Sequence, residues 1–301
     1  MYLEHFKFNE LPFGLTPNID FFCQLKGHQE ALNVLLFSLR SGEGFIKIIG
    51  EVGLGKTLLC RKLLDSLNQD YVTAYIPNPD LNPQELRTAL ARELGVELTA
   101  LKDQHELLTL LNNKLLELHH AGKRVVIVID EAQALPLDSL EAVRLLTNLE
   151  TGKNKLLQVV LFGQPELDQH LNKPNLRQLK QRITFSYYLP LLSPEDMDTY
   201  LFYRLAIAGY QSGTLFAKKA RKILYRASRG VPRVINILCH KSLLLAYGSG
   251  ESMVTPQMMK LAVRDSDTGF ASRHKKYTLL ITGLSALIIS IILFYCCKGI
   301  I

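Results

Sequence analysis

Residues 50–57 have the residue types and the spacing of a phosphate-binding loop. Their sequence, GEVGLGKT, matches the pattern G-x-x-x-x-G-K-[ST] at every fixed position. The glycines let successive backbone N–H groups face an anion, and the helix that follows directs its positive end to the same point. Lys56 is expected to neutralise the β- and γ-phosphates of a nucleotide, and the Thr57 hydroxyl to hold Mg²⁺. The predicted binding set is Gly50, Glu51, Val52, Gly53, Leu54, Gly55, Lys56, Thr57 and Leu58.

Two carboxylates follow a second buried run. Val125–Ile129 is β-branched throughout, which is typical of a central parallel strand, and Asp130 and Glu131 come directly after it. Because ligands bind at the carboxyl ends of parallel strands, we predict that Asp130 holds Mg²⁺ and that Glu131 orients or polarises the attacking water. The alternative role of an acidic residue here is to cap the next helix, and we assign that role to Asp138.

A third strand also ends in a polar side chain. The apolar run 156–162 is followed by Gly163, Gln164 and Pro165. If this strand neighbours both of the others, Gln164 lies between the phosphate-binding loop and the two carboxylates.

The elements that position these residues alternate between strand and helix. Strands are predicted at 45–49, 71–76, 125–129, 156–162 and 183–189, and helices begin near 28, 58, 82, 103 and 139, the last ending near 149. This alternation predicts an α/β fold with a doubly wound parallel sheet. From Ser193 the pattern is wholly helical, with helices from 193, over 214–228, over 232–247 and from 255, which predicts a small all-helical lid.

Composition is that of a globular protein, with 48% hydrophobic and 21% charged residues among 301. The net charge of +7 allows an acidic partner, either nucleic acid or anionic lipid. The five cysteines have no zinc-ligand spacing, which is typical of a reducing compartment.

Residues 277–297 carry no charge and are long enough to span a bilayer as one helix. The alternative is a buried core helix. Basic residues at 273–276 precede the run, so the positive-inside rule places the large N-terminal part in the cytoplasm. The predicted organisation is therefore an N-terminal linker (1–26), an ATPase core (27–191), a helical lid (192–266), a basic linker (267–276), a transmembrane helix (277–297) and a short outer tail (298–301).

Taken together, these motifs resemble an AAA+ P-loop ATPase, and longer strings resemble the ExeA/GspA-type secretion ATPases, most closely the MshM-type ATPases of MSHA pilus biogenesis. The resemblance covers about residues 1–266 and is carried by the strings 1–6, 12–17, 144–151, 163–167 and 232–239. Those secretion ATPases continue beyond the membrane into a part that resembles peptidoglycan-binding modules. This sequence stops at residue 301, so we do not expect direct cell-wall binding.

The resemblance implies further roles for single residues. Gln164 falls at the sensor 1 position, and Arg233, in the lid, falls at sensor 2. Arg182 falls where an arginine finger acts across a subunit boundary, with Arg177 as the alternative, so a homo-oligomer is implied. His28 and the aromatic residues before it lie where relatives hold the base.

The implied function is that of a membrane-anchored enzyme that hydrolyses ATP with Mg²⁺ and assists assembly of a type IV pilus or secretion machine. The implied partners are further copies of the chain, envelope assembly proteins and inner-membrane lipid, with nucleic acid not expected. Two alternatives stay open. One is a DNA-associated AAA+ protein of the transposition or replication-initiator kind, which the basic residues Lys218, Lys219, Arg221 and Lys222 favour. The other is a slow nucleotide switch or scaffold.

Overall fold

The structure is a computed structural model that describes residues 2–77, 79–98, 104–148, 150–151 and 154–266. The predicted basic linker 267–276, membrane helix 277–297 and outer tail 298–301 lie outside these residues, as do residues 103 and 149, which bound two predicted helices. Among the helices of the described ranges, none combines the length and apolar character that a membrane span requires.

A parallel sheet organises the first two thirds of the chain. In chain order the strands are β1 (Phe45–Ile49), β2 (Tyr71–Ile76), β3 (Arg124–Ile129), the two-residue strands β4 (Glu150–Thr151) and β5 (Asn154–Lys155), β6 (Leu157–Gly163) and β7 (Ile183–Tyr188). The main sheet has the order β2-β3-β6-β1-β7, and each neighbouring pair is parallel. The two short strands form a separate antiparallel hairpin. The predicted strands are confirmed to within one residue at each end.

Burial follows the position of each strand in the sheet. Strands β1 and β6 are buried along their whole length, and β3 is buried at every residue after Arg124. The edge strand β7 has no fully buried residue; half-buried and exposed side chains alternate along it. Long β-branched and aliphatic runs therefore occupy the centre of the sheet, where both faces are covered.

Helices cover both faces of this sheet. The helices are α1 (Tyr2–Phe6), α2 (Lys26–Arg40), α3 (Lys56–Ser66), α4 (Pro83–Glu93), α5 (Gln104–His120), α6 (Leu137–Leu146), α7 (Pro165–Leu171), α8 (Arg177–Arg182), α9 (Pro194–Ile207), α10 (Lys218–Ser228), α11 (Pro232–Gly248) and α12 (Pro256–Asp265). Apolar residues of α2 and α3 pack on one face, and those of α4 to α8 pack on the other. The predicted α/β sheet with helices on both sides is confirmed.

Local capping explains where several helices begin. Asn82 caps α4 and Ser193 caps α9, each by a reciprocal capping box and each with proline in the first turn. The prediction that Asp138 caps the following helix is wrong, because α6 begins at Leu137 after Pro136 and Asp138 lies inside its first turn. An acidic side chain there still favours the positive end of the helix.

The helix predicted over 214–228 begins later, at Lys218. Phe216 forms an isolated parallel bridge with Val254, and the Ala217 N–H donates to the Val254 carbonyl at 3.1 Å. Because this pairing uses the backbone in an extended conformation, the helix cannot begin before it. The bridge also fixes the starts of α10 and α12 side by side.

The N-terminal segment, predicted as a linker over 1–26, is packed against the helical lid. Tyr2, Phe6, Phe8 and Phe13 are buried in the same apolar cluster as α9 to α12. The Asn9 N–H donates to the carbonyl of Ala208 at 2.8 Å. Each buried aromatic ring removes about 150–250 Å² from water, so these side chains hold an otherwise irregular segment in place.

Candidate nucleotide site

The loop between β1 and α3 has the backbone conformation that its glycines predict. Gly53 and Gly55 have φ of +84° and +88°, in the left-handed region that strains residues with a Cβ. Gly55 is the N-cap residue of α3, so the positive end of that helix points into the loop. The arrangement is a cradle of backbone N–H groups at a helix N-terminus.

Lys56 is buried at the first position of α3. Its Nζ donates to the loop carbonyls of Gly50 at 2.7 Å and Glu51 at 3.0 Å. Burial lowers the pKa of this amine, and the charges of Glu131 and Asp130 oppose that effect. The cation is thus held inside the loop by neutral oxygens, close to both carboxylates.

Asp130 lies at the end of β3 with only 2% of its surface exposed. Its Oδ1 accepts from the Glu131 N–H at 2.9 Å, and it also accepts from the Thr57 hydroxyl. Burial raises the pKa of Asp130, and both hydrogen bonds counteract the rise. The two residues predicted to hold a metal ion are therefore in direct contact.

Glu131 has a left-handed backbone, with φ of +50°, and its carboxylate accepts two side-chain amides. Gln164 Nε2 donates to Oε2 at 2.9 Å and Gln133 Nε2 at 2.5 Å, while the Gln164 N–H donates to Gln133 Oε1 at 2.9 Å. Burial raises the pKa of Glu131, but the two amides and the Lys56 charge together bring it below the ordinary value. Oε1 has no protein partner within the described part of the chain.

Strand order brings these groups together. β6 lies between β3 and β1, so Gln164 follows the strand between the one that ends at Asp130 and the one that leads into the loop. The condition set for Gln164 in the sequence is met. Gln133, in the short 3-10 turn Ala132–Ala134, was not predicted as a site residue. The sequence signal for Gln133 was an amide side chain two residues after the Glu131 carboxylate.

A cavity of about 330 Å³ opens beside the loop, between the sheet, the N-terminal segment and the lid. Loop residues 52–58 line it with Glu131. The rest of its lining comes from distant parts of the chain and includes Phe21, Phe22, His28, Tyr200, Arg204, Arg233 and Asn236. Its size lies within the range of small-molecule sites, and it adjoins the phosphate cradle.

His28 fixes the loop from the side of α2. Its Nε2 lies 2.8 Å from the Leu54 carbonyl oxygen, and because a carbonyl can only accept, Nε2 carries the hydrogen. Burial lowers the pKa of His28, so the ring is neutral near pH 7. A Cβ on Gly55 would lie 3.4 Å from the same nitrogen. The structure thus places His28 against the loop backbone and in the cavity wall.

The lid touches the loop through Arg233. Its backbone N–H, at the start of α11, donates to the Gly53 carbonyl at 3.2 Å, and its side chain lines the cavity. A Cβ on Gly53 would lie only 2.6 Å from the Arg233 Cβ. Close approach of lid and loop therefore requires glycine at position 53.

Arg182 and Arg177 lie elsewhere, on α8. Arg182 is half-buried and donates to the Thr147 hydroxyl oxygen at 3.1 Å, whereas Arg177 is exposed. Neither is among the described residues that line the cavity. Within one chain these arginines are not brought to the nucleotide site.

Arg204 is a site residue that the sequence analysis missed. It is buried on α9, and it donates to the Pro12 carbonyl at 2.5 Å and to the Gly14 carbonyl at 3.2 Å. Its guanidinium lies 4.4 Å from the centre of the Phe21 ring. Arg204 occupies the buried face of α9, so a cation in an apolar helical stripe was the available signal.

The residues present fit ATP and Mg²⁺. A left-handed glycine cradle, a buried lysine held by neutral oxygens, and a threonine hydroxyl in contact with an aspartate together match the donor set of a triphosphate with a divalent cation.

Two sequence comparisons relate the chain to known proteins. Residues 39–171 match the family described as AAA domain. The chain is 42% identical over 274 residues to General secretion pathway protein A of Aeromonas hydrophila, covering 89% of this chain and 50% of that protein. The chain thus spans about half the length of this curated relative.

Solved structures share the architecture at low identity. The ORC2 protein of Aeropyrum pernix, solved with ADPNP and ADP, has a TM-score of 0.64 at 18% identity, over 86% of this chain and 72% of that one. Cdc6p of Pyrobaculum aerophilum has a TM-score of 0.65 at 19% identity, over 83% and 69%. RuvB of Thermotoga maritima has 0.54 at 16%, over 84% and 72%. At this level of identity these similarities show the fold alone, which is the P-loop AAA+ fold.

Proposed function

We propose that the chain is an AAA+ ATPase in which Lys56 binds the β- and γ-phosphates of ATP and Glu131 polarises the attacking water. The observation that carries this proposal is the contact between Gln164 and the Glu131 carboxylate beside Lys56. Three neighbouring strands lead to these groups, which lie together at one end of the sheet. Lys56 supplies the cation for the phosphates, Glu131 the carboxylate for the water, and Gln164 the amide that positions the carboxylate.

Mg²⁺, when bound, would be held by the Thr57 hydroxyl and the Asp130 carboxylate and would offset negative charge on the phosphates. Glu131 stays ionised because its amide partners favour the carboxylate, so it can accept a hydrogen bond from water through Oε1. Gln164, as sensor 1, binds the Glu131 carboxylate and fixes its position relative to the phosphate. Arg233, as sensor 2, reaches the phosphates from the lid.

A second copy of the chain completes the proposed site. Arg182 lies away from the cavity of its own chain, and an arginine finger stabilises transition-state charge from a neighbouring subunit in proteins of this mechanism. Half-burial of Arg182 against Thr147 gives it a fixed direction, whereas Arg177 on the same helix is exposed. We therefore propose Arg182 as the finger of a homo-oligomer.

The test is ATP hydrolysis by the full chain in lipid nanodiscs, measured as a function of protein concentration. Specific activity should rise with protein concentration and be absent in Lys56→Ala. Arg182→Ala and Glu131→Gln should each be inactive by themselves, and activity should return when the two are mixed. Arg177→Ala is the matched control and should behave as wild type. Full activity of Arg182→Ala alone would exclude the finger, and full activity of Lys56→Ala would exclude the ATPase.

The cellular role is proposed from similarity and from the sequence. Identity to a general secretion pathway protein favours service to an envelope machine, and the MshM-type strings favour a type IV, MSHA-like pilus. The charge-free run 277–297 would anchor the ATPase in the inner membrane with its catalytic part in the cytoplasm. Loss of pilus assembly in a Lys56→Ala strain, with the protein still present, would support this role; normal assembly would refute it.

A DNA-associated function is the second candidate. The outer face of α10 carries the exposed cations Lys218, Lys219 and Lys222, which could contact phosphates. A salt-sensitive gel shift with duplex DNA, lost in Lys218→Glu/Lys222→Glu, would favour it. Absence of a shift at low salt would exclude it.

A slow nucleotide switch is distinguished from an ATPase by tight ATP binding with negligible turnover at every protein concentration.

A further inference from the structure

A cationic cavity lies at the opposite edge of the sheet from the nucleotide site. Its volume is about 520 Å³, and its walls come from the end of α2, the end of α5 and the starts of β3 and β6. The P-loop follows the carboxyl end of β1, whereas this cavity lies at the amino ends of the strands. Strands of five to seven residues separate the two sites by roughly 20 Å.

The charge of the cavity wall has one sign. Five of the described residues in its wall can carry positive charge, and none of the described wall residues is acidic. The five are Arg40, His119, Lys123, Arg124 and Lys155. Across the described ranges, no carboxylate lies within ion-pair distance of any of the five. Like charges gathered without counter-charges repel one another, so an anion would relieve the repulsion.

Some of this charge has an internal role. Arg124 donates to the carbonyls of Leu39 at 3.4 Å and Arg40 at 3.0 Å, which neutralises the negative end of α2. Lys123 donates to the carbonyl of Gln69 at 2.8 Å. Within the described part of the chain, the side chains of Arg40 and Lys155 make no hydrogen bond. These two exposed cations therefore remain for a ligand.

One adjoining cavity has an acidic residue in its wall. Asp70 lines an adjoining cavity that shares Arg40 and Arg124 with the first, and its carboxylate accepts from Asn68 at 2.7 Å. Its backbone carbonyl, not its carboxylate, accepts from the Arg124 N–H. The cationic cavity keeps its net positive charge.

We propose that this cavity binds a small phosphate-bearing anion, with Arg40 and Lys155 as its principal ligands. Guanidinium and ammonium groups together provide both directional and point-charge recognition of phosphate oxygens. A volume of about 520 Å³ accommodates a ligand with more than one phosphate group. The ligand class is either a free phosphate compound or the phosphate of an anionic lipid headgroup. The proposal does not depend on the ATPase activity.

The experiment titrates inorganic pyrophosphate into the full chain by calorimetry. Because pyrophosphate would also enter the P-loop, the titration uses Lys56→Ala, and separately wild type saturated with a non-hydrolysable ATP analogue. We expect one saturable site per chain in both. Affinity should fall at least about tenfold in Arg40→Gln/Lys155→Gln, because charge-assisted hydrogen bonds are lost. It should be unchanged in the control Arg226→Gln, an exposed cation on α10.

Competition then identifies the source of the phosphate. Phosphatidylglycerol vesicles that displace pyrophosphate indicate a lipid headgroup, and vesicles that leave it bound indicate a free phosphate compound. Absence of a saturable site, or equal binding by Arg40→Gln/Lys155→Gln and wild type, would overturn the proposal. Because the ATPase assay does not enter these measurements, failure here leaves the proposed function untouched.

Discussion

Replacement of Arg204 by Met should release the N-terminal segment from the lid. The guanidinium makes two hydrogen bonds to carbonyls of that segment, at Pro12 and Gly14. Bonds from a charged donor contribute about 1.5–3 kcal/mol each, or about 3–6 kcal/mol for the pair. Relief of the desolvation of a buried cation offsets part of this, since burial of an ion costs several kcal/mol. We expect a net loss of about 3 kcal/mol.

Methionine is chosen because it preserves the apolar stem that packs beside Tyr200 and Phe21. The measurement is amide hydrogen exchange of peptides from residues 2–25 in the full chain. A loss of about 3 kcal/mol corresponds to exchange that is roughly a hundredfold faster wherever opening of the segment limits protection. Amides of the sheet, such as those of β6, should keep their wild-type rates.

The control is Arg226→Met, which removes an exposed cation from α10. Exchange in that variant should match wild type throughout. If Arg204→Met accelerates exchange of residues 2–25 by less than threefold, the arginine does not hold the segment and the reasoning fails. If the whole protein exchanges faster, Arg204 supports global folding and not the attachment of one segment.

Three further substitutions test the site. Gly53→Ala should lower nucleotide affinity at least about tenfold in a fluorescent-analogue titration, because a left-handed alanine costs about 1–2 kcal/mol and its Cβ would clash with Arg233. Gln164→Ala should lower kcat about tenfold to a hundredfold in steady-state kinetics with KM nearly unchanged, since its amide contacts Glu131 and not the loop. His28→Ala leaves a buried loop carbonyl without its donor. The midpoint temperature of thermal unfolding should therefore fall by a few degrees, and nucleotide affinity should weaken.

Each of the three substitutions has a matched control or a result that would contradict it. Gly42 has φ of +77° and open space around it, so Gly42→Ala bears the same backbone strain without a clash and should keep wild-type affinity. Equal affinities for Gly53→Ala and Gly42→Ala would refute the role of lid contact. A change in KM as large as that in kcat would refute the role given to Gln164. His120→Ala, an exposed histidine at the end of α5, should have wild-type stability, and a His28→Ala variant that matches it would contradict the proposed bond.

Local features of the fold could be predicted because they depend on neighbours in the chain. The helix starts at Asn82 and Ser193, each followed by proline, and the buried strand Phe45–Ile49 follow from residue type and spacing alone. The start of α10 could not be predicted, because the bridge between Phe216 and Val254 joins segments far apart in sequence. The same limit explains why the packing of the N-terminal segment was not predicted. Its aromatic residues have apolar partners only once the lid is assembled.

The sequence by itself determined the phosphate-binding loop, the carboxylates that follow β3, and the alternation that gives a parallel sheet. These depend on glycine spacing and on runs of apolar residues, which act within a few positions. Only the tertiary structure decided that Gln164 contacts Glu131, that His28 holds the loop, and that Arg204 bridges the lid to residues 192 positions earlier in the chain. Each of those contacts requires strand order and domain packing, and both are set by long-range burial of apolar surface, which no short window of residues encodes.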